Sequence, residues 1–102
     1  MISYNVTISV EEGITSDWLN WMKTEHIPEV MAAAVFTKAQ INRVIVQGDS
    51  NNTFAIAYSC PNMKALNEYK IKFSAGLQEK HITRYGHKAV AFRTIMEVIK
   101  EF

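Results

Sequence analysis

From Ile2 to Val10 the chain alternates. Ile2, Tyr4, Val6, Ile8 and Val10 fall on one side, and Ser3, Asn5, Thr7 and Ser9 on the other. That is the period of a half-buried strand. Glu11-Glu12-Gly13 ends it, and the pattern then turns helical. Thr15 or Ser16 is placed to cap a helix, Asp17 suits its positive end, and Ile14 can staple onto Leu19 or Trp18. The first helix is expected from Asp17 to His26. Pro28 disfavours helical geometry at Ile27, so the helix should stop there. A short second turn is expected to restart at Pro28, where proline is tolerated as a first helical residue.

Val35 to Gln47, rich in valine, isoleucine and threonine, predicts a second strand. Gly48-Asp49-Ser50-Asn51-Asn52 is a polar turn. Thr53 to Ser59 predicts a third strand, with Phe54, Ile56 and Tyr58 on one side and small residues on the other. The two make a hairpin. Asn62 caps a second helix, on which Leu66, Tyr69 and Phe73 share a face. Ser74-Ala75-Gly76 is expected to bend or break it. Leu77, His81 or Ile82, and Tyr85 resume the stripe, and Gly86 terminates it. Lys88 to Ile99 predicts the last strand.

The order β-α-β-β-α-β over residues 1–102 predicts one α+β domain. It is the split βαβ, ferredoxin-like arrangement: a four-stranded antiparallel sheet with both helices on one face. Two helices cover only that face. Val44, Val46, Phe92, Met96 and Val98 cannot all lie beneath them if Ile41, Ile45 and Ile95 do. A second copy of the same sheet is the simplest cover, so a homodimer is expected.

Composition narrows the partners. The chain has 102 residues, 48% apolar, a net charge of +1 and no block of like charge. Nucleic-acid binders need a clearer basic excess. TFAIAYS echoes the aromatic strand of RNA-recognition domains. It lacks the preceding basic-glycine pair, and the first strand has no matching aromatic motif. No nucleic-acid partner is expected. Cys60, the one cysteine, cannot form an internal disulfide and reads as structural. The N-terminus does not resemble a signal peptide, and no apolar run approaches the roughly 18 residues of a membrane span. A cytoplasmic protein without membrane contact is expected.

Candidate chemistry centres on WLNWMKTEHIPEV, residues 18–30. Leu19, Met22 and His26 fall at i, i+3 and i+7, so His26 lies near the apolar edge. Glu25 and Glu29 flank it and could raise its pKa. Facing a cavity, it could act as a catalytic general base or hold a ligand anion or haem iron. The plainer reading is a half-buried histidine bonding the last carbonyls of a helix. Trp18 and Trp21 read as core or dimer contacts, with ligand stacking as the alternative for Trp21.

Arg43 and Arg93 are each embedded in a predicted strand. On the open face, beside Asn5 and Tyr58, either could hold a carboxylate through its forked donors. The alternative is an ion pair, such as Arg93 with Glu97, and a register slip of one residue reverses the argument. His81 and His87 read as solvent-facing. The three histidines match no metal motif. The four glycines stand singly at element boundaries, and no nucleophile elbow is present. The sequence assigns neither a cofactor nor a reaction.

YNVTISV, WLNWMKTEHIPEVMAAAVFTKAQINRV and RYGHKAVAFRTIMEVI together resemble a bacterial domain-of-unknown-function family, number 4286. W-x-x-W-M-x-x-x-H-I-P and F-R-T-x-x-E-V are its most distinctive pieces, and the resemblance spans nearly the whole chain. It implies membership of the dimeric α/β-barrel superfamily of ferredoxin-like folds. Two sheets would then face each other across a dimer, often with a ligand cavity on each open face. It implies no catalytic residue. Two functional readings follow. One is a protein that binds or transforms a small organic ligand. The other is a non-catalytic dimerisation, protein-binding or metabolite-sensing module.

Overall fold

The computed structural model describes residues 1–48 and 52–102. Four strands, β1 (Ile2–Val10), β2 (Lys38–Arg43), β3 (Thr53–Cys60) and β4 (Ala89–Glu97), form one sheet in the order β2-β3-β1-β4. All three pairings are antiparallel. The helical segments are α1 (Thr15–Trp21), α2 (Ile27–Ala32), α3 (Met63–Tyr69) and α4 (Ala75–Tyr85). This is the expected ferredoxin-like α+β topology.

The alternation in β1 fixes the faces. Tyr4 pairs with Tyr58 and Ile95, and Val6 with Ile56 and Arg93. Directly opposed residues share a face, so this row lies on the side the helices cover. Asn5 pairs with Ala57 and Thr94, and Thr7 with Ala55 and Phe92, on the open side. Strand β2 is shorter than its β-rich sequence. Its last ladder bond runs from Val44 N–H to the Thr53 carbonyl, and Ile45 and Val46 beyond it are exposed. The expected turn residues Asp49, Ser50 and Asn51 lie outside the described residues.

Pro28 does not stop the first helix. A five-residue π-helical turn, Met22–His26, joins α1 to α2. The Ile27 N–H reaches back to the Met22 carbonyl, five residues away rather than four. A widened turn accommodates a residue that supplies no N–H and whose ring crowds the preceding turn. The expected hydroxyl cap is also absent. Thr15 is already helical, and its hydroxyl donates to the Glu11 carbonyl at 3.0 Å. Asn62 caps α3 as expected, accepting from the Ala65 N–H at 2.9 Å.

The first helix ends through Ala34, whose φ is 60°. A Cβ is disfavoured in that left-handed conformation, which glycine adopts freely. Ala34→Gly is therefore expected to raise stability by about 0.5–1 kcal/mol, net of the entropy glycine adds to the unfolded chain. Chemical denaturation of the two proteins checks this; equal midpoints would contradict it.

A second π-helical turn, Lys70–Ser74, joins α3 to α4. It advances the inward stripe by one residue. After Leu66 and Tyr69 the next buried position is Ser74, not Phe73, which is 38% exposed. From there Leu77, His81 and Tyr85 continue at helical spacing, all buried.

Candidate functional site

Between the helices and the sheet lies a cavity of about 40 Å³. That exceeds the roughly 10–15 Å³ a single water needs. Strands β1, β3 and β4 supply Tyr4, Tyr58 and Arg93; the helices supply His26, Tyr69, Gln78 and His81. Apolar groups including Val6, Ile56 and Leu77 complete the wall. Arg93 is the one exposed residue in the lining. The cavity therefore meets solvent beside the edge strand β4.

One half is an imidazole-indole cluster. Trp18, fully buried, donates from Nε1 to His81 Nε2 at 3.0 Å. That bond needs a lone pair on Nε2, so His81 is neutral with its proton on Nδ1. Trp21 stacks on His26 with ring centroids 4.6 Å apart, and His81 lies 5.9 Å from His26. Burial, followed by the Arg93 charge, lowers the His81 pKa. Burial pushes His26 down to about 4; His81, Lys80 and Arg93 add to this, and Glu29 opposes it. The flanking carboxylates do not raise the His26 pKa above its ordinary value, because burial outweighs them. A histidine of that pKa is neutral near pH 7 and a weak base. It is better suited to hydrogen bonding a ligand than to taking a proton. His26 Nδ1 is buried with no hydrogen-bond partner. Such groups are rare in folded proteins.

The other half is phenolic. Tyr4, Tyr58 and Tyr69 surround Phe36, with Phe36–Tyr58 and Phe36–Tyr69 centroids 5.0 and 4.8 Å apart. Burial raises the pKa of all three phenols, Tyr69 to about 12. They remain protonated and available as donors. The Arg93 charge pulls against the rise in each.

The expected site residues separate. His26, Tyr58 and Arg93 meet in the cavity. Trp21 supports His26 from behind without lining it. Asn5 is on the opposite face, donating to Thr7 Oγ1 at 2.9 Å. Arg43 shares the covered face but sits over the Phe54 ring at 5.2 Å, outside the cavity. This cavity lies on the helix-covered side; the open face, where a ligand cavity was expected, carries a separate pocket along Lys38, Gln40, Ala57 and Ser59. His81 is buried within the helix-covered cavity rather than solvent-facing; His87 is exposed. Tyr4, Tyr69 and Gln78 were not singled out in the sequence. The spacing of Leu77, His81 and Tyr85 was the available signal for His81. Cys60 is a buried free thiol. Among the described residues no three histidine, cysteine or acidic groups come together to hold a metal, and no helix is long and apolar enough to cross a membrane.

The model of the domain of unknown function DUF4286 matches residues 1–99. The chain belongs to that family. No curated protein matches it. Solved structures of the same fold include a dimeric ferredoxin-like protein from an uncultured marine organism, at 12% identity and TM-score 0.71, covering 99% of this chain and 96% of the other. A candidate antibiotic biosynthesis monooxygenase from Deinococcus radiodurans is similar at 14% identity and TM-score 0.74, covering 100% and 96%. HapK from Hahella chejuensis is similar at 8% identity and TM-score 0.73, with the same coverage. At these identities the likeness extends to the fold and not to the chemistry. None of these matches assigns a role to a DUF4286 residue.

Proposed function

We propose that this DUF4286 protein is a homodimer whose subunits each bind a small organic molecule in the cavity between helices and sheet. The observation that carries this reading is the unpartnered His26 Nδ1, buried in the wall of a cavity whose other polar groups are phenols, an amide, a second imidazole and a guanidinium. Few convergent polar groups in an apolar setting are typical of small-molecule sites. A bound ligand would supply the missing hydrogen bond.

The open sheet face supports the dimer. Val90, Phe92 and Met96 of β4 are 61%, 63% and 46% exposed on it. Across β1 from them, β3 presents Ala55 and Ala57 on the same face, which leave room for a second sheet packed about 10 Å away. Two of the fold relatives are described as dimeric.

Native mass spectrometry tests both halves. The expected species is twice the 11.6 kDa chain, carrying added mass that is lost on denaturation or taken up from a fragment library. Phe92→Asp, which places a charge in the apolar half of the face, should move the population to monomer while leaving the circular dichroism unchanged. A wild-type monomer would remove the dimer, and failure to take up any fragment would remove the ligand.

A further inference from the structure

The charge of the cavity goes further than its shape. Among the described residues, Arg93 is its one formally charged lining side chain, and no aspartate or glutamate lines it. The ion pairs among the described residues are Lys80–Glu29 and Arg84–Asp17, and neither includes Arg93. Arg93 is exposed at the mouth, and its charge acts on the Tyr4 phenol just inside. Its field reaches every perturbed side chain in the wall: Tyr4, Tyr58, Tyr69, His26 and His81. An entering molecule therefore meets a positive, donor-rich opening with no opposing carboxylate. Behind it stand protonated phenols and neutral imidazoles, one with a free nitrogen.

We infer that the cavity takes the carboxylate end of a small monocarboxylic acid, with Arg93 at the mouth as its counter-ion and Tyr4 as a second donor. This rests on the ligand-binding reading above. A guanidinium and a carboxylate match in charge and in their paired donor and acceptor geometry. A phosphate monoester would bring close to two negative charges against one cation. The surplus would sit among buried phenols, where an uncompensated charge is unfavourable. The cavity also has no glycine-rich run of backbone N–H groups of the kind that cradles phosphate. At about 40 Å³ the space suits the carboxylate and a few attached atoms, so the rest of a larger acid would project past Arg93 toward β4.

The test is calorimetric titration with matched pairs, each acid against its own amide: acetate and acetamide, benzoate and benzamide, phenylacetate and phenylacetamide. Phenyl phosphate serves as the phosphate probe. At least one acid is expected to bind ten-fold or more tightly than its amide and than phenyl phosphate. Arg93→Gln should erase the preference by weakening the acid and sparing the amide, and Arg93→Lys should retain part of it. Circular dichroism confirms that each variant is folded; Arg93 is exposed on an edge strand, so both should fold. If amides bind as well as acids, the anion inference fails while the cavity reading stands. If phenyl phosphate binds best, the carboxylate assignment fails. If no member of any pair binds, the cavity reading fails and this inference with it.

Discussion

Trp18→Ala should lower stability by about 3–5 kcal/mol, the range for removing a buried aromatic from a packed core. Trp18 has no exposed surface, and its ring lies 5.0 Å from that of Phe54. For a domain of this length the loss corresponds to a fall in Tm of at least about 12 °C. It would also consume a large part of the 5–15 kcal/mol that ordinarily separates folded from unfolded states. Trp18→Phe separates packing from hydrogen bonding. The ring stays aromatic, but the Nε1 donor to His81 is lost, leaving a buried acceptor at a cost of about 1–3 kcal/mol. With its lone pair released, His81 should also protonate at a higher pH in this variant. Thermal melts and a histidine NMR titration read the two effects. An unchanged His81 titration would mean that the indole does not hold that tautomer.

Acid should weaken the fold as pH falls from about 6.5 toward 4. His26 has a folded pKa of about 4 against an ordinary value of 6.5. Between those values the unfolded chain holds the proton and the folded chain does not, so stability rises with pH across the window. The His26 contribution is complete above about pH 6.5. It is lost as pH falls toward 4, on the order of 3 kcal/mol in all. His81, also lowered, acts in the same direction. His26→Phe keeps an aromatic ring against Trp21 but cannot titrate, so its stability should fall less steeply between pH 6.5 and 4. Denaturant unfolding at several pH values measures the two slopes. Parallel slopes would show that His26 is not the group responsible.

The strands and the order of elements were legible because burial on one face imposes a period of two, and β1 keeps that period without a break. The helices were legible as amphipathic segments, but their phase was not. Periodicity reasoning assumes 3.6 residues per turn. The π-helical turns at Met22–His26 and Lys70–Ser74 each depart from it. The first carried the helix past Pro28, where proline chemistry alone argued for a stop. The second exchanged Phe73 for Ser74 on the inner face.

Half of the site could be seen in the sequence. His26 stood out through its apolar setting, and Arg93 through its place in a strand. His81 was obscured by its charged neighbour Lys80, although its spacing from Leu77 and Tyr85 gave the better signal. Which face Arg93 occupies depends on strand register. The pairing of Val6 with Arg93 settles that, and no composition rule could have done so.

The three histidines provide the most direct measurement of the central claim. His26 and His81 line the cavity, and His87 is exposed outside it. Their imidazole NMR signals can be followed while small organic fragments are added to the native protein. The expected result is a saturable shift of His26 and His81, with His87 unmoved. Binding fragments that shift His87 alone, or leave all three unchanged, would contradict a ligand site between the helices and the sheet.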